Sequence, residues 1–400
     1  MVLNCGGATL KYKLFRMPGE GVLGQGMLDR IASPRATLTH RKEGRGEQVF
    51  PLPEADHHAG IEKVLEILAD AELGLVSSLS EISAVAHKLP HGGLRFRKSV
   101  LVDGEVIGAL EECSPMAPLH NPPSLKAILV CRELLPGVPQ VGVFETSFHT
   151  TVPEYASVYG LPREWLERHS VRKFGFHSTS HRHVLSWTAR LLGRPKEELN
   201  IISCHLGSGT SVCAIKAGKS LDISSGFSPQ AGTLMSTRHG DFDPAVVPYM
   251  MRRLGIGPDE MDEILTRESG LLGISGLSGD MRDLQEAAAE GHGGAKLAIE
   301  AFVYSVRKYV GQYLVLLGDV DALAFTGGIG ESSASIRREV CAGMDRFGIA
   351  LDEGKNEALR GGGVISEEDS PTQVVVIPTD EEIVVARDAM AILERIPEEA

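Results

Sequence analysis

Residues 201–215, Ile-Ile-Ser-Cys-His-Leu-Gly-Ser-Gly-Thr-Ser-Val-Cys-Ala-Ile, constrain the fold more than any other stretch of the chain. Two apolar, β-branched runs, Ile201-Ile202 and 212–215, flank a polar turn that holds Gly207 and Gly209. This is the pattern of a β-hairpin whose tip is the working part. Glycines let the backbone approach an anion closely, and His205, Ser208, Thr210 and Ser211 bring hydrogen-bond donors to the same place, so a phosphate is the natural occupant. Any Gly/Ser turn between two strands looks similar, so the meaning of this one rests on the remainder of the chain.

The chain opens with the same device. Val2 to Asn4, then Gly6-Gly7, then 10–15 read as strand, glycine turn and strand, with Asn4, Thr9 and Lys11 at the turn. Residues 40–60 are polar and read as a surface excursion; the adjacent His57 and His58 lack partners at metal-ligand spacing. Helical periodicity covers 61–73, and a buried strand is expected over 82–89. That strand runs into His87-Lys88-Leu89-Pro90-His91-Gly92-Gly93, a density of cationic or titratable side chains typical of a site at a strand end. Ser124 is a candidate N-cap for a helix over 124–135, and a short strand over 140–144 delivers Glu145, with His149 four residues on. A carboxylate at a strand end is a functional candidate, with a solvated acid as the plain alternative.

In the second half, aromatic and polar residues alternate through 172–181, and serines and threonines cap a helix over 180–193. Arg238 lies in a glycine-flanked loop with Asp241 and Asp243, so it either forms a structural ion pair or serves as a forked donor to a carboxylate or phosphoryl group. Pro244 is placed to begin a helix that reaches about residue 254. A loop over 275–284 precedes a helix, and a long helix over 295–317 shows a broad apolar face. A strand over 322–325 opens into Thr326-Gly-Gly-Ile-Gly-Glu331, a second glycine cluster. It is neither a Walker loop nor a dinucleotide fingerprint. A last strand is expected over 373–377 and a closing helix over 382–393.

Composition narrows the class. At 400 residues the chain exceeds what one growing core supports, so two domains are expected. Acidic residues outnumber basic ones by 53 − 40 = 13, which argues against an extended nucleic-acid surface. No apolar run approaches the about 18 residues of a membrane span, and the start of the chain lacks the pattern of a leader. Six cysteines without regular spacing fit reduced thiols in the cytoplasm, the expected location.

Taken together, the motifs resemble those of the acetate kinase family, part of the actin-like ATPase superfamily, along nearly the whole chain and in order. They are Asn4-Cys-Gly; His-x-x-x-His-Gly-Gly at 87–93; Ala-Pro-Leu-His-Asn-Pro at 117–122; Phe-x-Thr-x-Phe-His at 144–149; and Gly-Phe-His-x-Thr-Ser-His at 175–181. His-Leu-Gly-x-Gly-x-Ser at 205–211, Thr-Arg-x-Gly-Asp-x-Asp-Pro at 237–244, Phe-Thr-Gly-Gly-Ile-Gly-Glu at 325–331 and Ile-Pro-Thr-x-Glu-Glu at 377–382 complete the series.

The resemblance implies an α/β, duplicated actin/ribonuclease-H-like fold. Residues 1–150, completed by the C-terminal helix 382–400, would form one domain and 151–381 the nucleotide-binding other, each on a mixed five-stranded sheet with flanking helices, with the active site in the interdomain cleft. It implies reversible phosphoryl transfer between ATP and acetate or a related short acid, giving acyl phosphate and ADP, with Mg²⁺ (or Mn²⁺). Glu145, His177, Arg238 and Lys88 stand at catalytic positions. Phosphates would meet His205, Gly207, Ser208 and Gly209, and the adenosine would meet Gly327, Gly328, Ile329, Gly330 and Glu331, with Asp280 and Arg282 nearby. Pro90, Leu119, Phe176 and Pro229 match the wall around the acid's alkyl group, and Asn4 and Glu381 the metal side. The expected partners are a small carboxylic acid and a nucleotide, without nucleic acid or membrane, in a homodimer through the C-terminal half.

Several chemistry-bearing positions depart from the family pattern. Glu145 replaces an aspartate, Lys88 an arginine, Ser208 an asparagine and Pro90 a valine, while Gly7-Ala8-Thr9 replaces a serine run. A shift of about 1 Å at such a site can cost on the order of a hundredfold in rate. Two alternatives therefore stand beside the carboxylate kinase: a same-fold phosphotransferase with another acceptor or donor, such as another acid or pyrophosphate, and a weakly active or non-catalytic nucleotide-binding paralogue.

Overall fold

The computed structural model describes residues 1–114, 117 and 121–395. The chain divides into two compact units, Met1–Ser147 with Asp380–Ala400, and Phe148–Thr379.

In the first unit, alternation sets the opening strands. Leu10, Tyr12 and Leu14 of β2 (Thr9–Arg16) turn into the core while Lys11 and Lys13 turn out, the period of a half-buried strand. With β1 (Val2–Cys5), β3 (Gly21–Asp29), β4 (Thr37–Lys42), β5 (Gln48–Pro51), β6 (Val85–Leu89), β7 (Val100–Leu101) and β8 (Gln140–Phe144), it builds an eight-stranded sheet in the order β5-β4-β3-β2-β1-β6-β8-β7. β1, β6 and β8 run parallel; their side chains are buried on both faces, which is why β8 reads as a continuous apolar run. One face packs on helices His57–Leu68 and Asn121–Leu134, and the other on Val385, Ala386 and Ala389 of the C-terminal helix Glu381–Leu393.

In the second unit, β9 (Ile201–Leu206), β10 (Thr210–Lys216), β11 (Lys219–Ile223), β12 (Ala322–Thr326), β13 (Gly363–Val364) and β14 (Gln373–Val376) form a six-stranded sheet ordered β11-β10-β9-β12-β14-β13. The hairpin expected over 201–215 is present, with Thr210 opposite Leu206. The long helix Gly293–Leu317 lays Phe302, Val306, Val310 and Tyr313 on one face of the sheet, and Ser178–Leu192 packs Val184 and Leu185 on the other.

The sheets have eight and six strands, so the expected five is corrected, and the reason is visible in the pairing. In both units the first three strands are antiparallel to one another and the next two run parallel to the first: β3-β2-β1-β6-β8 and β11-β10-β9-β12-β14. This shared five-strand pattern is extended by β4, β5 and β7 in the first unit and by β13 in the second.

Other local expectations are corrected as well. Residues 40–60 are not a plain excursion, because they finish β4, form β5 and begin a helix whose N-cap is Asp56. The helix expected to start at Ser124 starts at Asn121, and the Ser124 hydroxyl donates to the Cys5 carbonyl at 3.2 Å instead of capping. His177, with φ at 61°, stands at the N-cap of Ser178–Leu192 without a capping side-chain bond, and the helix after Pro244 begins at Val246. All six cysteines are buried and free. Among the described residues no helix is long and apolar enough to cross a membrane.

Candidate active site

The chemistry-bearing residues of the first unit meet at the C-terminal ends of its parallel strands, where α/β sheets place ligand sites. Asn4 in β1 pairs in register with Lys88 in β6, and the Glu145 amide, one residue beyond β8, donates to the Leu89 carbonyl at 2.8 Å. The ammonium of Lys88 lies 3.5 Å from the Glu145 carboxylate and hydrogen-bonds Glu381, the first residue of the C-terminal helix. All three side chains are nearly buried, with 12%, 9% and 13% exposure. Burial alone would lower the pKa of Lys88; the charges of Glu145 and Glu381 outweigh it and hold the pKa raised, so the ammonium stays charged. The helix is fixed beside this cluster by Lys13, which pairs with Asp380 at 3.1 Å and Glu382 at 3.5 Å. Pro90 follows directly after β6 and is half-buried; Leu119 lies outside the described residues.

Two histidines read as part of the cationic crowding have other roles. His91 is completely buried, accepts from the Gly93 amide at 2.9 Å, and is pushed down to about 4 by burial. His87 bonds the Gln140 amide oxygen at 2.7 Å and is likewise pushed down to about 4. Both are neutral at pH 7. His57 is also structural: its Nε2 donates to the Gly6 carbonyl at 2.8 Å and pins the N-terminal glycine turn.

In the second unit the opening hairpin brings a different set together. His177 Nδ1 meets the Ser211 hydroxyl at 2.9 Å, and the His177 ring stacks on His205 with centroids 4.4 Å apart. A Cβ added to Gly209 would lie 3.2 Å from His177 Nε2 and 3.7 Å from Arg238 Nη1, so this glycine keeps open the space that the imidazole and guanidinium border. Arg238 donates to the Pro229 carbonyl at 2.9 Å, and among the described residues it has no carboxylate at ion-pair distance. The two aspartates near it in sequence are engaged elsewhere: Asp241 accepts from the Gly232 amide and Tyr309, and Asp243 from the Ala245 amide. Burial lowers the Arg238 pKa. Phe176, buried beside His177, receives a hydrogen bond on its carbonyl from His149, which burial pushes down to about 4.

The hydroxyls expected to face an anion are only partly available. Thr210 donates back to the Gly207 carbonyl at 3.0 Å, Ser211 is taken up by histidines, and His205 bonds Ser180 at 2.7 Å. Ser208 is exposed, and its carbonyl receives the Ser236 amide at 3.2 Å, tying the hairpin tip to the segment that carries Arg238.

The second glycine cluster is a helical turn, Gly327–Ser332, directly after β12. Gly327 has φ at 78°, and a Cβ there would lie 2.6 Å from the Leu206 carbonyl oxygen, so only glycine fits where the turn leaves β12 against the hairpin. The Glu331 carboxylate binds the Thr379 amide and hydroxyl. Asp280 and Arg282 form a forked pair at 3.0 and 2.6 Å and are largely exposed. Their helix Met281–Ala289 is joined to this region by Gln285, which donates to Ser333 at 2.9 Å and Ser335 at 2.8 Å. Ile329 packs against the unit's core. Sequence reading missed Arg337, buried at 2% exposure, whose guanidinium donates to the Gly330 and Glu331 carbonyls and fixes the turn. An arginine within an amphipathic helix gives no sequence signal of such a role.

A model of the acetokinase family matches residues 1–387. The chain belongs to that family. An acetate kinase of Clostridium botulinum is 47% identical over 392 residues, covering 98% of each chain. The crystal structure of Porphyromonas gingivalis acetate kinase is similar with a TM-score of 0.93 at 42% identity and 98% coverage of each chain. The structure of a propionate kinase from Francisella tularensis follows at 0.91, 36% identical over 97% of each.

In this acetokinase chain, Lys88 is the shared ion-pair partner of two nearly buried carboxylates. Lys88→Met is expected to lower the unfolding free energy at pH 7 by about 3–5 kcal/mol, the range for stripping a buried charge of its partner. Urea unfolding checks this; a change below about 0.5 kcal/mol, typical of a surface position, would contradict it.

Proposed function

We propose that the chain is a carboxylate kinase that transfers the γ-phosphoryl group of ATP to acetate or a related short-chain acid, reversibly, giving acyl phosphate and ADP. The observation that carries the reading is Arg238, a half-buried guanidinium without a carboxylate partner among the described residues, bordering with His177 the space that Gly209 leaves open. A buried cation left without a counter-ion favours an incoming oxyanion.

The physical demand of the reaction matches these groups. A carboxylate nucleophile is already ionised at neutral pH and needs no general base, whereas two anions must be brought together. Phosphoryl transfer spreads charge over equatorial oxygens, so catalysis is mostly positioning plus cations and hydrogen-bond donors around the group in flight. We assign Arg238 and His177 to the transferring group, and Lys88 and Glu145 to ordering the reacting anions in the first unit's cluster. His205, Gly207, Ser208 and Gly209 would take the nucleotide phosphates, with Asp280, Arg282 and Gly327 to Glu331 on the adenosine side. Pro90, Leu119, Phe176 and Pro229 would border the acid's alkyl group.

Magnesium fits the donors of the first unit. Asn4 and Glu381 offer hard oxygens there, and among the described residues no cluster of three or more His, Cys, Asp or Glu side chains forms a self-sufficient metal cage. That suits an ion which keeps water and substrate phosphates as most of its ligands. Asn4 and Glu381 would hold it, and it would neutralise phosphate charge. We place the protein in the cytoplasm and assign it as a homodimer whose contact includes helix Val246–Leu254. This helix has no buried residue, and its Val246, Tyr249 and Leu254 are 46%, 61% and 55% exposed. Light scattering should return twice the 43.0 kDa chain mass, and Tyr249→Glu should shift it toward one; a monomeric wild type removes the assignment.

The function is tested by trapping acyl phosphate with hydroxylamine across a panel of short acids with ATP and Mg²⁺. Acetate or a close homologue is expected to give product, and Arg238→Ala to lower kcat by about 10²–10³, the cost of losing one donor to developing charge. Arg238→Lys should recover little, since a point charge lacks the fork. ATP binding without acyl phosphate from any acid would overturn the reading in favour of a non-catalytic paralogue, and product with pyrophosphate alone in favour of another donor.

A further inference from the structure

His177 is tied to the core of the second unit by a chain of hydrogen bonds. Ser203 Oγ meets His181 Nδ1 at 2.8 Å, His181 Nε2 meets Ser211 Oγ at 2.9 Å, and the same Ser211 Oγ meets His177 Nδ1 at 2.9 Å. Ser203, His181 and Ser211 are completely buried. The geometry follows from two periodicities. His177 and His181 are four residues apart, one at the start of helix Ser178–Leu192 and one a turn further, so they present on one side. Ser203 of β9 pairs with Cys213 of β10, and Ser211 pairs with His205, so both serines share one face of the hairpin. Two histidines from the helix therefore interleave with two serines from the hairpin.

Proton counting then gives the chain a direction. Each hydroxyl has one proton to donate, and each neutral imidazole has one N–H and one acceptor nitrogen. An unbroken chain can run in two ways. Running outward, Ser203 donates to His181 Nδ1, His181 Nε2–H donates to Ser211, Ser211 donates to His177 Nδ1, and His177 carries its proton on Nε2. Running inward, every bond reverses: His177 carries its proton on Nδ1, and Ser203 becomes an acceptor.

The inner end decides between them. His181 is the only hydrogen-bond partner of the Ser203 hydroxyl among the described residues. In the inward direction the Ser203 proton would be buried with nothing to receive it; in the outward direction only lone pairs of the Ser203 oxygen go unfilled at this end. An orphaned buried donor is the costlier defect, enough to bias the two directions by about tenfold or more.

We infer that Ser203, His181 and Ser211 are positioning residues that present His177 to the transferring phosphoryl group as a neutral Nε2–H donor. The ring is then fixed at Nδ1 by Ser211, with Nε2 turned toward the space at Gly209 that Arg238 also borders. The catalytic consequence rests on the phosphotransferase reading, whereas the tautomer is a property of the protein without substrate.

The test uses the full-length, ¹⁵N-labelled protein. Two-bond ¹H–¹⁵N correlation of the imidazoles, with His177 and His181 signals assigned by their loss in His177→Gln and His181→Gln, is expected to show pyrrole-type Nε2 and pyridine-type Nδ1 in both rings. The reverse pattern in either ring overturns the inference, and His177→Asn and His181→Asn supply the assignment where a glutamine variant fails to fold. In acyl phosphate formation, Ser211→Ala is expected to lower kcat by about tenfold while the KM values for ATP and acid stay within about twofold, and Ser211→Thr, which keeps the hydroxyl, to restore most of the loss. An unchanged kcat in a folded Ser211→Ala would remove the positioning role. An Nε2–H spectrum in a protein that makes no acyl phosphate would instead leave the hydrogen-bond chain standing and overturn only the proposed reaction.

Discussion

One ammonium between two carboxylates holds the first unit's candidate site in place. Lys88 joins the end of β6, the residue after β8 and the first turn of the C-terminal helix, three segments far apart in sequence, through Glu145 and Glu381. Taking three charges out of water is costly, and their mutual attraction offsets that cost only when the geometry is good. The helix is therefore supported twice over: by apolar packing of Val385, Ala386 and Ala389 on the sheet, and by Lys13 on its first turn. An arginine at 88 would spread its charge over a planar fork; the lysine concentrates it at one point that two acids can share.

The two units use the same strand pattern for opposite electrostatic ends. In the first, Lys88 shares its single charge between two nearly buried carboxylates, Glu145 and Glu381. In the second, Arg238 has no acid partner among the described residues and borders, with His177, the space at Gly209, an arrangement suited to an oxyanion. The common five-strand arrangement gathers Asn4, Lys88 and Glu145 toward the C-terminal ends of the first unit's parallel strands, and the second unit's hairpin tip follows the parallel strand β9. The glycine tips differ accordingly. A Cβ at Gly209 would crowd the His177 ring, whereas Gly327 is required by a left-handed backbone pressed against the Leu206 carbonyl.

Much of this was legible in the sequence, and what was not has identifiable causes. The hairpin over 201–215, the strand ending at Phe144 and the long helix through Phe302 and Tyr313 carry strong periodicity and strong punctuation, so local pattern and tertiary structure agree. Ser124 misled because a serine before an apolar run resembles an N-cap, whereas its hydroxyl answers a carbonyl in β1 that only the fold brings near. Residues 40–60 misled because β4 and β5 are short strands at one side of the sheet with few apolar positions, so their alternation is weak. The histidines misled most. Sequence shows a titratable side chain but not its burial, and burial turns His87, His91 and His149 into neutral structural groups, leaving His177 bordering the open space with Arg238. The hydroxyls that sequence pattern aims at a phosphate, Thr210 and Ser211, are instead committed to a carbonyl and to histidines.

The central claim is that a carboxylate oxygen of the acid attacks the γ-phosphorus of ATP directly at this site. Oxygen transfer from labelled acid tests it most directly. Acetate carrying ¹⁸O in its carboxyl group is incubated with the protein, ATP and Mg²⁺, the product is cleaved with hydroxylamine at the acyl carbon, and the released phosphate is analysed by mass. Attack by the carboxylate places one acetate oxygen in the bridge to phosphorus, so each phosphate released from fully labelled acid should carry one ¹⁸O. Phosphate without the label, formed as ATP is consumed, would show that water is the acceptor and would contradict the account.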